Sequence, residues 1–403
     1  MKTTKLFLIV LIHFVSAIFS FAQTWIQQTN SPTEEWTCIA SSADGSKLVA
    51  ASFNGTIYTS PDSGVTWIEA TNVPTSDWIA VVSSAQGDKL AALNIGGSIN
   101  SDNAIIYVST DSGMTWTNIY TPSVTLNCMG SSADGKTLIA GDWNDFGGPS
   151  SIYCSTNFGT TWVTNDAPNE YWTSVASSAD GTKFVASCVN PSDTGTVFVS
   201  HDSGMTWNVT DLPFASWQTV ASSADGFELI AAASGGSVYI STNSGVTWTT
   251  NNVPNTFWSS VAASADGKRF IAVNTYGRLN NGGVIYTSND SGLSWTSNNI
   301  SDNVSWQAIT SSADGCKLAV ATFDDFIYTF HSTPQPQLKL KALASQSALS
   351  WLVPSTNFIL QHSSDLQNWS AVTNLPILNL TNLQNEISLP MNASANFFRL
   401  TTR

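Results

Sequence analysis

The stretch Ser60-Pro61-Asp62-Ser63-Gly64-Val65-Thr66-Trp67 decides the fold of this chain, because the chain repeats it. The same pattern, S-x-D-x-G-x-T-W with small variations, returns at 109–116, 155–162, 200–207, 241–248 and 288–295. Asp accepts hydrogen bonds from backbone N–H groups two residues on, and Gly adopts a backbone conformation that other residues resist. Each copy, which we call a box, therefore predicts a tight turn between two strands, after which the Trp buries its ring in the sheet.

The acidic position of the box is predicted to be structural. Its occupants, in chain order, are Asp62, Asp111, Asn157, Asp202, Asn243 and Asp290. Asn keeps the acceptor oxygen of Asp, but it neither titrates nor binds a metal as a carboxylate does. No metal site is therefore predicted in the boxes.

Each box belongs to a longer repeat with a period of 41 to 48 residues. The repeats start at Trp36, Trp78, Leu126, Trp172, Trp217, Trp258 and Trp306. Every repeat holds short β-runs, the first two joined by an Asp-Gly hairpin signal such as Asp44-Gly45 or its variant Gln86-Gly87. A period in the forties with four short strands is typical of a β-propeller blade. The prediction is an all-β, seven-bladed β-propeller.

The seventh repeat ends without a box or a fourth strand. The missing strand is predicted at the other end of the chain, where Thr24-Trp25-Ile26 copies the Thr-Trp that follows each box. An N-terminal strand in the last blade would close the ring and leave no open sheet edge at the seam.

The six boxes resemble the Asp box, or bacterial neuraminidase repeat, of the sialidase, sortilin and Ycf48-like β-propellers. The resemblance covers residues 24–331 and implies the fold. Sialidases need three arginines to hold the substrate carboxylate, whereas this propeller contains only Arg269 and Arg278, so sialidase activity is not expected. The photosystem assembly factors of the family are marked by basic patches, which this chain lacks.

The two ends of the chain add segments outside the propeller, which is predicted to span 23–331. Residues 1–22 combine two lysines, an apolar run and Ser20-Phe21-Ala22, which predicts a signal peptide and export. The alternative, an uncleaved membrane anchor, would need a longer apolar run. Residues 332–337 are predicted to be a linker. Residues 338–403 resemble the small β-sandwich of secreted Verrucomicrobia-type proteins, through Ser350 to Pro354, Leu360 to Trp369 and Phe397 to Leu400.

Composition excludes several functional classes. The formal net charge is −14, so a positive surface for nucleic acid is not expected. Only four histidines are present, and no Ser-His-Asp set, metal site or cofactor is predicted from them. The five cysteines include no CxxC pair, and Cys38 and Cys128 occupy the same repeat position, which is predicted to be small and buried. One disulfide bond among the five is the alternative to free thiols. We expect a monomer.

The loops between second and third strands vary in length and lie on one face of the predicted propeller, with the connections between blades. Trp143, in the long blade-3 loop, is the one tryptophan of sixteen that neither the repeats nor the C-terminal domain explains. We expect it to stack on a sugar ring; the alternative is that it packs its own loop. The candidate ligand residues on this face are Trp143, Asp142, Asn144, Asp145, Tyr276, Arg278, Asp324 and Asp325.

The functional prediction is a secreted binding or scaffold propeller, not an enzyme, that recognises an extracellular polysaccharide or protein. The alternative is a glycoside hydrolase or lyase that uses the acids of the same face, because two carboxylates across a cleft can cleave a glycosidic bond. The simpler interpretation of those acids is that they are solvated turn residues. The opposite face is predicted to consist of near-identical turns whose residues all have structural roles.

Overall fold

The computed structural model describes residues 9–11, 25–95, 104–123, 125–143, 150–190, 192, 194–275, 283–298, 300, 304–323, 325–332, 337–342, 346–353, 358–390 and 396–402. All regular structure in these residues is β-strand. The predicted all-β class and β-propeller fold are confirmed.

Between Trp25 and His331 the described residues form antiparallel sheets, five with four strands and one with eight. The eight-stranded sheet consists of two four-stranded units joined by one pairing, and we call the seven four-stranded units blades 1 to 7. The first, innermost strands are Trp36–Ser41, Trp78–Ser83, Leu126–Ser131, Tyr171–Ser177, Trp217–Ser222, Thr256–Ala263 and Trp306–Ser311. The second strands are Leu48–Ser52, Leu90–Asn94, Leu138–Asp142, Phe184–Val189, Leu229–Gly236, Phe270–Asn274 and Lys317–Thr322.

The outer half of each blade follows the same order. The third strands are Ile57–Ser60, Ile105–Ser109, Ile152–Ser155, Val197–Ser200, Val238–Ser241, Ile285–Ser288 and Tyr328–His331. The outermost strands of blades 1 to 6 are Ile68–Glu69, Thr117–Ile119, Val163–Thr164, Asn208–Val209, Thr249–Thr250 and Thr296–Asn298. Blades 5 and 6 are also joined directly, by pairing between Ser234 and Phe257.

A closed ring of backbone hydrogen bonds joins the seven blades at the axis. The amide of one alanine per blade donates to the carbonyl of the equivalent alanine in the next blade, at N–O distances of 2.7 to 3.0 Å. The order is Ala43, Ala85, Ala133, Ala179, Ala224, Ala265, Ala313 and back to Ala43. Each alanine precedes an Asp-Gly turn or its Gln-Gly variant, so the ring lies on the face that carries these turns and the boxes. We call it the turn face, and the opposite one the variable face.

The tryptophans at or near the start of six first strands form the cores between blades. Trp36 and Trp78 have no exposed surface, and each meets a third-strand tyrosine edge-on; the Trp36–Tyr58 centroids lie 5.4 Å apart. A β-bulge follows directly, so that Thr37 turns away from the ladder and donates its hydroxyl to the Trp78 carbonyl at 2.6 Å. The sequence pattern did not indicate these bulges.

Blade 7 receives its outermost strand from the start of the chain, as predicted. Trp25–Gln27 pairs antiparallel with Tyr328–His331, and the Gln28 amide continues the ladder to the Ile327 carbonyl at 2.8 Å. The ring of Trp25 packs on Phe330 with a centroid distance of 5.3 Å. The N-terminal strand therefore closes the ring.

The box turn is held by its Ser and Asp side chains. Asp62 Oδ1 accepts the Thr66 amide at 2.8 Å, and Oδ2 accepts the Thr66 hydroxyl at 2.7 Å, so the bonds reach four residues on rather than two. Gly64 has a φ of +93°, and a Cβ there would lie 2.9 Å from a Thr329 methyl carbon in the preceding blade. Asn157 contacts the same two groups: its Oδ1 accepts the Thr161 amide at 2.9 Å, while its Nδ2 donates to the Thr161 hydroxyl at 2.8 Å. The structural interpretation of the box therefore fits its geometry.

The C-terminal region forms two further four-stranded sheets. One contains Lys339–Ala342, Gln346–Leu352, Gln384–Pro390 and Ile377–Asn379. The other contains Phe358–Ser363, Ser370–Ala371, Asn396–Thr402 and, in parallel pairing with the last, Ile9–Leu11 from the predicted signal segment. Trp351, Leu360 and Phe398 share one core between the sheets, which makes this region a small β-sandwich.

This sandwich covers the centre of the turn face. Val353 is buried in one cluster with the alanines of the ring, and Leu352, Leu378, Leu380 and Leu383 pack against the same cluster. Lys268 Nζ also donates to the Gln337 side chain at 3.2 Å. The axis of the propeller is therefore closed by apolar side chains at this end.

Deleting residues 24–28 is expected to cost several kcal/mol of unfolding free energy, because it removes both the partly buried Trp25 ring and the hydrogen bonds of the strand. For comparison, loss of a fully buried aromatic side chain alone costs about 3–5 kcal/mol. The measurement is the thermal melting temperature of the chain with and without the segment. Ile26→Ser, at a position 53% exposed, is the control and should change little. An unchanged melting temperature after the deletion would contradict closure by this strand.

Asp62→Asn is expected to be mild, because Asn157 and Asn243 already fill the same position. Asp62→Ala should cost about 1–3 kcal/mol, since it removes the acceptor of the Thr66 amide. Chemical denaturation of both variants provides the comparison. Equal losses from the two substitutions would show that the acceptor oxygen does not matter.

Candidate functional site

Asp142 ends the second strand of blade 3 on the variable face, and Trp143 follows it directly. The first side chain is buried and the second lies at the surface. Asp142 is only 2% exposed, and its carboxylate accepts hydrogen bonds from the hydroxyls of Thr125 and Ser123. Burial raises the pKa of this carboxyl, although those hydrogen bonds act in the opposite direction. The structure thus gives Asp142 the role of fixing the connection between blades 2 and 3, beneath the surface rather than on it.

Trp143 lies at the surface, half-buried. Its amide donates to the Thr125 carbonyl at 2.8 Å, and its ring stacks on Tyr171 with centroids 5.4 Å apart and planes within 14°. Tyr171 belongs to blade 4, so the pair bridges two blades. Sequence reasoning missed Tyr171, although an aromatic residue directly before the first-strand Trp172 was a visible signal.

The other candidates divide into one described residue and five that are not. Asp325 accepts hydrogen bonds from the Tyr328 hydroxyl at 3.1 Å and from Gln27 Nε2, and its carbonyl accepts the Trp36 ring N–H. This carboxylate therefore helps to hold the blade-7 turn and the N-terminal strand. The predicted ligand residues Asn144, Asp145, Tyr276, Arg278 and Asp324 lie outside the described residues.

Trp143 has equivalents on the neighbouring blades that the sequence analysis did not single out. The first residue after the second strand is Phe323 in blade 7, Phe53 in blade 1, Ile95 in blade 2 and Trp143 in blade 3. We call these four side chains the apolar arc. Phe323, Phe53 and Ile95 are 44%, 44% and 39% exposed.

The arc is anchored by the backbone at every position. The amides of Phe53, Ile95 and Phe323 donate to the residue before the first-strand tryptophan of their own blade, at 2.8, 3.1 and 3.0 Å. The same bond exists in blades 5 and 6, where the equivalent residues are the polar Ser234 and Thr275. At this repeat position, apolar residues therefore occur on blades 7, 1, 2 and 3, and superposition of the repeats would have revealed them. Elsewhere on the same face Phe214, in the connection between blades 4 and 5, is 78% exposed.

The basic side chains of the described propeller residues all lie on the turn face, which also carries acids such as Asp44, Asp62 and Asp134. Every described Lys or Arg of the propeller follows a turn glycine by one or two residues on the turn face: Lys47, Lys89, Lys136, Lys183, Lys268, Arg269 and Lys317. The variable face instead presents Glu34, Glu35, Asp77, Glu170 and Asp325. The described part of the variable face therefore carries acidic but no basic side chains.

The turn face is less uniform than predicted. The box residue before the Thr-Trp or Ser-Trp pair is apolar and exposed in five copies: Val65, Met114, Met205, Val246 and Leu293. A groove of about 250 Å³ between blades 1 and 2 is lined by Met114, Pro61, Ile68 and Leu90, among others. The expectation that every side chain of this face has a structural role is therefore wrong, and this groove is a second place where a ligand could lie.

The described residues contain neither a reactive thiol nor a group of side chains that could bind a metal ion. The five cysteines are buried free thiols, and burial raises the pKa of Cys38 and of Cys128 to about 12. No three His, Cys, Asp or Glu side chains of the described chain are grouped so that they could hold a metal ion. Across these same residues, no helix is long and apolar enough to span a membrane.

Comparison with solved structures supports the fold. No protein-family model and no curated protein matches the sequence. The GH74 xyloglucanase of Xanthomonas campestris is similar in structure, with a TM-score of 0.60 and 14% identity over 81% of this chain and 59% of the xyloglucanase. YCF48 from Cyanidioschyzon merolae follows, with a TM-score of 0.56 and 15% identity over 76% of this chain and 99% of YCF48.

A structure of YCF48 bound to D1 peptide is similar too, with a TM-score of 0.55 and 15% identity over 79% of this chain and 99% of that one. This chain spans about three fifths of the length of the xyloglucanase. These likenesses show a β-propeller fold.

Asp142→Asn is expected to change the pH dependence of stability. A folded-state pKa above the ordinary value of about 3.9 means that ionisation favours unfolding, so the contribution of Asp142 is greatest at low pH and is lost as the pH rises through the raised value. Residue 142 does not titrate in the Asn variant. The melting temperature of this variant should therefore rise relative to that of the natural chain as the pH increases from 3 to about 7. A difference in melting temperature between the two chains that stays constant over this pH range would contradict the raised pKa of Asp142.

Proposed function

We propose that this chain is a secreted propeller of the Asp-box type that binds an extracellular glycan or protein through its variable face. The observation that carries the proposal is the apolar arc, four apolar side chains at one repeat position on four consecutive blades. Exposed apolar side chains on neighbouring blades, with acidic residues beside them, offer a surface against which a ligand can bury its apolar groups. The covering of the turn-face centre by the C-terminal sandwich supports the choice of the opposite face.

Assignment to the Asp-box type is supported by the six boxes and their shared hydrogen bonds. In Asp62, Asp111, Asp202 and Asp290 the carboxylate accepts both the amide and the hydroxyl of the residue four positions on. The seven four-stranded blades between Trp25 and His331 fit the same type.

The chemistry of the arc suits a sugar ring. The faces of Trp143 and of the two phenylalanines can lie against the apolar C–H face of a pyranose, while carboxylates beside them accept hydrogen bonds from its hydroxyls. Each such stacking contact should contribute about 1 kcal/mol beyond the buried area, by comparison with aromatic pairs. Tyr171 holds the Trp143 ring in place before any ligand arrives, which reduces the entropy lost on binding.

A glycoside hydrolase or lyase is the second candidate, because a structural neighbour is a xyloglucanase and the variable face is acidic. Two observations favour binding over catalysis. Asp142 is buried, and Asp325 accepts hydrogen bonds from Tyr328 and Gln27. Neither carboxylate is placed as an exposed partner of a paired acid and base.

The test is a glycan-array and protein-binding screen run beside a hydrolysis assay on the same polysaccharides. Trp143→Ala is expected to weaken binding about tenfold with only a small loss in melting temperature, since the ring stacks on Tyr171 but belongs to no blade core. Normal binding with early unfolding would mean that Trp143 only packs its loop. If the natural chain hydrolyses a polysaccharide slowly and Asp142→Asn does not, the protein is an enzyme rather than a binding module.

A further inference from the structure

We infer that the ligand of the variable face is an uncharged polysaccharide chain that lies along the apolar arc, off the propeller axis, across blades 7, 1, 2 and 3. This inference rests on the proposed function and specifies the ligand class of the same site. It comes from two independent observations: apolar side chains hold one repeat position on four consecutive blades, and the described basic side chains of the propeller all lie on the opposite face.

The shape of the site comes from the apolar arc. Phe323, Phe53, Ile95 and Trp143 occupy one repeat position on consecutive blades, so they follow the curve of the inner ring rather than converge on its centre. Ser234 and Thr275 hold the same position in blades 5 and 6. A small ligand on the axis would meet all blades alike, whereas an elongated ligand can cover four blades and leave the others free.

The charge of the ligand follows from the residues beside the arc. Glu35 and Asp77 precede the first-strand tryptophans of blades 1 and 2, and their carbonyls accept the Phe53 and Ile95 amides. Any chain on the arc would therefore pass within a few residues of both carboxylates. At physiological salt, charges within about 8 Å of each other are only partly screened. A polyanion would be repelled there, and no described Lys or Arg on this face could offset the repulsion.

A strongly basic peptide would be attracted by the same charges, but it is a weaker match in shape and in hydrogen bonding. Asp77 Oδ1 accepts the Asn54 amide at 3.0 Å, and Glu34 Oε1 accepts the Tyr58 hydroxyl at 3.3 Å. These carboxylates keep lone pairs for the hydroxyls of a sugar. The arc supplies flat apolar surfaces but no pocket for a long cationic side chain.

The test measures binding of the full secreted chain to four probes by calorimetry: a neutral β-glucan, a neutral mannan, polygalacturonate and oligolysine. At least one neutral polysaccharide is expected to bind, and the other two probes are expected to bind at least about tenfold more weakly. Affinity for the neutral ligand should rise from its disaccharide to its hexasaccharide, because a longer chain reaches more of the arc.

The variants locate the site. Phe53→Ala with Phe323→Ala should weaken binding of the neutral chain about tenfold or more at unchanged melting temperature. Met114→Ala with Met205→Ala is the matched control, since both methionines are more than 70% exposed on the turn face. This control should bind like the natural chain.

The outcomes separate the two claims. Preferred binding of polygalacturonate or oligolysine that depends on the arc would overturn the ligand class and leave the variable face as the site. Loss of binding in the methionine variant, but not in the phenylalanine variant, would move the site to the groove and overturn both claims. Failure of every glycan and protein in the screen to bind would also overturn both.

Discussion

The ring of seven alanine-to-alanine hydrogen bonds is the constraint on which the rest of the structure depends. A ring of this kind closes only if every blade brings its first strand to the same height and angle, so each repeat must deliver the same turn. The Asp-Gly turns do this, because Gly45, for example, takes a φ of +65° and its Cα faces the Lys317 side chain of the preceding blade. A side chain at that position would clash with its neighbour and strain the backbone. Closure of the ring therefore requires that these turns have the same conformation in every blade.

The same constraint leaves the opposite face free to vary. Residues beyond the second strands do not take part in the ring, and one backbone hydrogen bond is enough to hold them, as at Phe53 and Phe323. Side chains can then change from blade to blade at no cost to closure, and here they form an apolar arc on one side. The C-terminal sandwich strengthens the division, because Val353 and its neighbouring leucines cover the alanine ring and close the axis at the turn face. Rigid scaffolds commonly carry their binding residues on such variable loops.

The fold could be predicted from the sequence because its determinants are local and repeated. Each box, each Asp-Gly turn and each first-strand tryptophan specifies its own surroundings, and Trp25 could be matched to the seam by its Thr-Trp pattern. The C-terminal region shows the same logic, since Asp365 accepts the amide and side-chain N–H of Asn368 in a box-like turn without glycine.

The site was harder to predict because its contacts join distant parts of the chain. The sequence indicated a surface acid at Asp142, whereas in the structure this side chain is buried and hydrogen-bonded to Ser123 and Thr125 from the connection between blades. Phe53 and Phe323 are 270 residues apart, and only superposition of the repeats brings them to one arc. The proline-containing segment after Ser332 suggested a separate domain, whereas the apolar partners of Val353 are alanines spread over the whole propeller.

The central claim is that ring closure directs ligand binding to the variable face. Amide hydrogen exchange of the full chain, with and without a saturating neutral oligosaccharide, tests it most directly. The account predicts added protection in the segments around Phe53, Ile95 and Phe323, with no change at the boxes. Protection that appears at the box turns around Met114 instead would contradict it.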